Sequence, residues 1–273
     1  MTSTVLRVAA VQMSSQADIS ENLGECARLI EQAVAAGATL VLLPENFAYF
    51  GPEAGKRAAA ERLGDETAPI QTLLSTLART HGVTLIGGGM PEQSDHPERP
   101  HNTSAVFGPS GKLLAAYRKI HLFDVDLTDG TSYRESASTL AGTEAVVVPV
   151  SDFTVGLSVC YDLRFPELYR ALVDKGATVL TVPAAFTVNT GKDHWHVLIR
   201  ARAIESQSWV IAAAQCGQHP GGRSTYGHSM VVDPWGTTVA EASDRVGVVV
   251  AEVDLTYLER VRTNLPSLRH RRL

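Results

Sequence analysis

The chain has 273 residues, 44% of them hydrophobic and 19% charged, and a formal net charge of -5. Such a length buries a sizeable core in one large α/β domain or two small ones, and the composition excludes a disordered chain. The acidic balance argues against a protein built to bind nucleic acid, and no apolar run is long enough to span a bilayer.

Leu6 to Met13 reads as a first strand, apolar on both faces, and its single positive charge, Arg7, does not make a signal peptide. Leu23, Ala27, Ile30 and Val34 then recur at helical spacing, with Gly37 placed to stop the helix. Thr39 to Leu43 is a continuous apolar strand ending at Pro44-Glu45, so the opening predicts a β–α–β unit with buried strands. Residues 48–66 read as an irregular, charged, mobile loop. Ile70, Leu73, Leu74 and Leu77 mark a helix opened by Pro69 and closed by Gly82. The strand Val83 to Ile86 runs into Gly87-Gly88-Gly89, which lacks the Gly-Lys-Ser/Thr of a phosphate loop and reads as close backbone packing.

Asn102 to Phe107 and Leu113 to Tyr117 are strands joined by the turn Pro109-Ser110-Gly111-Lys112, and the second leads directly into Arg118-Lys119-Ile120-His121. Residues 122–143 read as irregular. Strands over 145–150 and 153–159 lead to Cys160, where an apolar run stops and Pro166 opens a helix carrying Leu168, Tyr169 and Leu172. Ala177 to Val182 is the next strand, 193–207 a helix, and Trp209 to Gln215 a strand. A hairpin turns at Pro234-Trp235-Gly236, and Val246 to Val253 precedes a last helix capped by Asp254. No repeat or linker divides the chain, which predicts one domain over 1–273.

Cys26, Cys160 and Cys216 are odd in number and form no C-x-x-C pair. They predict a reducing, cytoplasmic setting without a disulfide framework or a cysteine-based zinc site. The basic run Arg269 to Arg272 reads as a solvated tail or a subunit contact.

Glu45, Lys119 and Cys160 each follow a strand, and the carboxyl ends of strands are where open α/β sheets bind ligands. An acid, an amine and a thiol suit one another chemically. Little of a free thiol is ionised at neutral pH, and an ammonium nearby favours the thiolate. A carboxylate in apolar surroundings, as Leu42-Leu43-Pro44 would supply, can take the thiol proton and return it to a leaving amine. A cysteine on a strand-to-helix bend is lifted off the sheet, with the Tyr161 N–H beside it as an oxyanion donor. Each residue also has a plain structural reading: Cys160 as a small buried hydrophobe, Glu45 as a cap, Lys119 as a surface lysine. Spacing alone does not make the three meet.

Leu43-Pro44-Glu45, Arg118-Lys119-Ile120-His121-Leu122-Phe123 and Val159-Cys160-Tyr161-Asp162-Leu163-Arg164-Phe165-Pro166-Glu167-Leu168 resemble, in order, the three signature segments of the nitrilase (carbon–nitrogen hydrolase) superfamily. The resemblance covers the chain from Arg7 to Arg272. It implies an α/β fold of the four-layer αββα sandwich type, pairing into homodimers or higher homo-oligomers. It also implies Glu45 as general base, Lys119 as stabiliser of the tetrahedral intermediate, Cys160 as nucleophile, and Glu135 as a second glutamate orienting the lysine. The segments Pro183 to Phe186, Arg200 to Glu205, Ala213 to Gly217 and Tyr226 to Gly236 resemble the branch holding deaminated glutathione amidases and ω-amidases, and lie closer to the first. His196 stands where that branch more often has glutamate.

The implied chemistry is amide hydrolysis through a cysteine thioester, with no metal and no organic cofactor. The expected partner is a small-molecule amide bearing a carboxylate, such as a 2-oxoglutaryl amide, rather than nucleic acid or membrane. Arg164, four residues past the cysteine, matches a carboxylate in bidentate fashion, or else makes a structural salt bridge. Tyr49, Tyr161, Phe186 and Thr187 are expected to line the pocket. His194 and His196 do not read as a metal pair, because i and i+2 point apart on a helix. A papain-like cysteine–histidine site would instead draw on His121, His194 or His228.

Overall fold

The computed structural model describes residues 4–126, 130 and 132–272. Two six-stranded sheets dominate it. The first runs, edge to edge, through Gly247–Asp254, Val5–Gln12, Leu40–Leu42, Thr84–Glu92, His101–Phe107 and Leu113–Arg118. The second runs through Val147–Val150, Phe153–Leu157, Val179–Ala184, Trp209–Ala214, Met230–Val232 and Thr238–Glu241. Read in these orders the sheets have the same pattern of pairing: antiparallel, parallel, parallel, antiparallel, antiparallel. The sequence shows no repeat, yet the two halves solve the same topological problem.

The alternation of side chains along each strand builds the layers. In the first sheet Val8, Ala10, Leu40 and Leu42 face inward to a core shared with the second sheet. Their neighbours Ala9, Val11, Val41 and Leu43 face outward, against the helices Ile19–Ala35 and Pro69–His81. The helices Pro166–Asp174 and Val188–Ser206 cover the far side of the second sheet through Leu168, Leu172, Trp195 and Ile199. The result is the expected four-layer αββα sandwich.

Several local features follow from the residues that predicted them. Gly82 closes its helix in the left-handed conformation, and the Asp254 side chain accepts from the Thr256 N–H at the start of Leu255–Asn264. The triple glycine lies inside the Thr84–Glu92 strand, which therefore runs past the predicted end at Ile86. A Cβ at Gly88 would meet the Leu43 carbonyl oxygen and the Pro183 side chain, so the two sheets approach closely here.

Other elements differ from the sequence reading. Residues 48–66 contain a short helix, Glu53–Ala58, none of whose residues is buried, so no apolar stripe announces it. Residues 122–143, insofar as they are described, contain a small hairpin of Asp124–Asp126 and Ser132–Arg134. The helix of 193–207 begins earlier, at Val188, where Thr187 caps it. A hairpin of Cys216–His219 and Arg223–Tyr226 was not foreseen. In the first helix the stripe is displaced: Asn22, Cys26, Leu29, Ile30 and Ala33 are buried, whereas Leu23, Ala27 and Val34 flank them. Among the described residues no helix is long and apolar enough to cross a membrane.

Candidate active site

Glu45, Lys119 and Cys160 do meet, at the ends of strands from both sheets. Glu45 follows Leu40–Leu42 and is bridged to Gly89 of the neighbouring strand. A side chain at Gly89 would press on Glu45 and Asn102, which accounts for the third glycine. The backbone turns sharply after it, with Asn46 in the left-handed region at φ 59°. Cys160 is also left-handed, at φ 50°, and opens the tight turn Cys160–Arg164. Non-glycine residues held this way cost about 1–3 kcal/mol each, and the rest of the fold must impose them.

Asp162 is what imposes the second turn. It is fully buried and accepts from the Val159 N–H at 2.8 Å, the Tyr117 hydroxyl at 2.7 Å, and the His121 N–H and Nδ1 at 3.1 and 2.7 Å. One carboxylate thus ties the cysteine turn to both flanks of Lys119. Burial and the charge of Asp162 together push the Tyr117 phenol far up. Asp162 lies within the signature segment Val159 to Leu168, and nothing in the sequence alone marks this role.

Lys119 is buried and donates from Nζ to Glu45 Oε1 at 3.1 Å and to both oxygens of Glu135, at 3.0 and 2.8 Å. Glu135 also accepts from the Phe123 N–H at 2.7 Å. Burial opposes the lysine's charge, but Glu135 and Glu45 outweigh it and hold the ammonium well above its ordinary pKa. Burial likewise opposes ionisation of Glu135, which Lys119 and the more distant Lys56 overcome, keeping its carboxyl below the usual range.

Glu45 is buried, but its surroundings are not the apolar ones its sequence neighbours suggested. Besides Lys119 it accepts from Asn102 Nδ2 at 2.9 Å and from the Ala185 N–H at 3.1 Å, while Gln215 Nε2 holds its backbone carbonyl at 3.0 Å. Leu42 and Leu43 point into the two cores instead. The Cys160 thiol is raised well above the ordinary value, first by burial and then by the charge of Glu45, against the pull of Lys119. The Lys119 ammonium does favour the thiolate, as expected, but burial and Glu45 outweigh it, so the thiol rests protonated. A base at hand is then a necessity, not a refinement.

These groups floor a cavity of about 330 Å³. Tyr49, Tyr161, Arg164, Phe186 and Thr187 all line it, as expected of them. Among the described residues no carboxylate pairs with Arg164. Its guanidinium lies over the rings of Tyr161 and Phe186, with Nη1 3.3 Å from His194 Nδ1. Asn102, Lys56 and Arg223 also line the cavity and were missed.

No histidine lines the cavity among the described residues, which leaves the papain-like arrangement without its base. His121 is held by Asp162, and His228 bonds Glu241 at 2.8 Å. His194 and His196 do point apart, the first to Arg164 and the second to Glu241 at 2.8 Å. The substitution at 196 therefore lies outside the pocket.

This arrangement, on this sandwich, defines a hydrolase of carbon–nitrogen bonds, and the carbon–nitrogen hydrolase family matches residues 7–263. The chain belongs to that family. It is 47% identical over 266 residues to a deaminated glutathione amidase of Synechocystis, an alignment covering 96% of this chain and 97% of the relative. The fold is similar to the NitFhit protein of Caenorhabditis elegans, with a TM-score of 0.92 and 39% identity over the whole of this chain and 66% of that longer one. It is also similar to a mutant of an amidase from Nesterenkonia whose active-site cysteine carries a Michael adduct of acrylamide, with a TM-score of 0.79 and 27% identity over 96% of this chain and 98% of that one.

Proposed function

We propose that the chain hydrolyses deaminated glutathione to 2-oxoglutarate and cysteinylglycine, through a thioester on Cys160. The observation that carries the reading is the closed cluster of Cys160, Glu45 and Lys119, with Glu135 holding the lysine from behind. The nearly full-length relatives that bear this activity in their names supply the substrate.

On this reading Glu45 takes the thiol proton as Sγ attacks the amide carbon. Lys119, with the Tyr161 N–H, meets the negative charge that develops on oxygen, each such donor being worth about 3 kcal/mol of barrier. The carbon–nitrogen bond breaks as Glu45 returns the proton to the departing amine. Glu45 then deprotonates a water that attacks the thioester, and the acid leaves as the thiol is restored. Arg164 takes the carboxylate at the acyl end. The exposed Val197, Ile204 and Trp235, on and beside the outer helix Val188–Ser206, support pairing of two copies through that layer. Three free cysteines support a cytoplasmic setting.

The test offers deaminated glutathione and 2-oxoglutaramate separately to purified protein, with Cys160→Ala as control, and follows 2-oxoglutarate and ammonia. Faster 2-oxoglutarate release from deaminated glutathione, without ammonia, is expected. Faster release from 2-oxoglutaramate with equal ammonia would make the chain an ω-amidase. Activity surviving in Cys160→Ala would remove the thioester mechanism altogether.

A further inference from the structure

We infer that Arg223 forms a second anion subsite in the cavity, one that takes a carboxylate on the leaving-amine side, so that the site selects amides flanked by two carboxylates. The inference rests on the amidase reading above and specifies what that reading leaves open, the recognition of the departing dipeptide.

Among the described residues, three of the five cations lining the cavity already donate to oxygen acceptors of the fold. Lys119 is enclosed by Glu45 and Glu135. Lys56 donates to Thr139 Oγ1 at 2.7 Å. Arg134 forks onto Asp126 at 2.8 and 2.9 Å and bonds two backbone carbonyls. Two guanidiniums are left, Arg164 and Arg223, and they are built alike.

Each lies on a pair of aromatic rings. Arg164 stands 5.8 Å from the Tyr161 centroid and 5.3 Å from that of Phe186. Arg223 stands 5.4 Å from Tyr133 and 5.9 Å from Phe50. An aromatic face satisfies the cation's charge but leaves its N–H edge free, which is the edge that forks onto a carboxylate. Among the described residues the only carboxylate paired with Arg223 is that of Glu53, at 4.0 Å, too long for a hydrogen bond.

The two ring pairs share no residue. Those under Arg164 come from the cysteine turn and the segment after Val179–Ala184, those under Arg223 from the segment after Glu45 and the strand Ser132–Arg134. Arg223 itself opens the strand Arg223–Tyr226, whose Thr225 is bridged to Thr187. It therefore stands two residues, about 7 Å, further along the cavity wall from Thr187. A substrate with a carboxylate only at its acyl end would engage Arg164 and leave Arg223 without a counter-charge. A 2-oxoglutaryl dipeptide engages both.

The test compares 2-oxoglutaryl-cysteinylglycine with its C-terminal carboxamide on the wild type, Arg223→Gln and Arg223→Lys. The wild type should show a KM about 10- to 100-fold lower for the free acid, the range expected of a charge-assisted hydrogen bond. Arg223→Gln should raise the acid's KM toward that of the carboxamide, with a clearly smaller rise for the carboxamide itself. Arg223→Lys should recover part of the difference. An equal loss on both substrates, or none on either, would overturn the subsite.

A second readout does not need turnover. S-methylcysteinylglycine and its carboxamide are each used to protect Cys160 from iodoacetamide. Protection by the acid alone, lost in Arg223→Gln, would support the subsite even if deaminated glutathione were not hydrolysed, in which case only the substrate reading fails. Equal protection by acid and carboxamide would overturn the subsite whatever the enzyme hydrolyses.

Discussion

The floor and the rim of the cavity are built on opposite terms. On the floor, Lys119 and Glu45 have side chains 2% and 5% exposed, and every charged atom there already has a partner. At the rim, Arg223 is 42% exposed and its guanidinium edge has no hydrogen-bonded carboxylate among the described residues. Glu45, Lys119 and Cys160 directly follow or adjoin strands of the two sheets, whereas Arg223 belongs to a short hairpin outside them. The difference teaches a division of labour. On the reading proposed above, bond breaking belongs to groups anchored at the sandwich, and the choice of amide on the leaving side to a hairpin outside it.

Removing the cation from the floor should do the most damage. Lys119→Ala leaves Glu45 and Glu135 buried with no positive charge between them. Breaking a buried ionic cluster in this way costs about 3–5 kcal/mol, which urea denaturation at neutral pH will register, together with loss of turnover. Replacing a rim arginine should leave the denaturation midpoint within the scatter of surface substitutions. Equal destabilisation by both would dissolve the distinction between floor and rim.

A step down in effect is Asp162→Ala. Asp162 touches no reacting atom, but it holds the cysteine turn to the Lys119 segment. A small displacement of a nucleophile can cost about 100-fold in rate. The expected outcome is a fall of that order in kcat with KM changed less, and slower alkylation of Cys160 does not follow from it. A fall confined to KM would move Asp162 from the floor to the rim.

Much of the floor was legible in the sequence because buried strands read as continuous apolar runs that stop abruptly. Leu40 to Leu43 stops at Pro44-Glu45 and Val155 to Val159 stops at Cys160, so the chemistry announces itself by interruption. The role of Asp162 was not legible. Its partners Tyr117, His121 and Val159 are joined only by folding, and an aspartate near a turn has many ordinary uses. Nor was the Arg223 hairpin. Gln218 and Gly217 are exposed and Arg223 half-buried, so its strands carry no alternation of apolar side chains to detect. The surroundings of Glu45 were misjudged for a related reason: Asn102 and Ala185 reach it from other strands, and flanking leucines say nothing about them.

Smaller still is the dependence of stability on pH, and here floor groups act on both sides of neutrality. Glu135 has a lowered pKa when folded, so its contribution is present above its ordinary value of 4.5 and is lost as pH falls through the folded value. Lys119 and Cys160 are raised, so their contributions are complete below 10.5 and 9.0 and are lost as pH rises toward the folded values. Tm should therefore be level from about pH 5 to 8.5 and decline on either side. Cys160→Ala removes the thiol's share and should delay the alkaline decline without altering the acid one. An alkaline decline identical in the variant would mean that the thiol is not held protonated by the floor.

The smallest effect expected lies outside both regions, at His196. Its Nε2 and the Nδ1 of His228 meet the same oxygen, Glu241 Oε1, each at 2.8 Å. Burial opposes the ionisation of Glu241, but the two imidazoles outweigh it and lower its pKa. His196→Glu would replace one of those donors with a second carboxylate facing the first, leaving His228 to bridge them. Two like charges on a partly solvated surface repel weakly, and a chain of this size loses about 2–4 °C per kcal/mol. A fall in Tm of that order is expected by thermal denaturation. Turnover should change by less than about twofold, because His196 does not line the cavity. A tenfold loss in kcat/KM would show instead that the wall behind Tyr226, whose ring meets His196 edge-on at 5.9 Å, transmits to the site, and that floor and rim do not account for all of it.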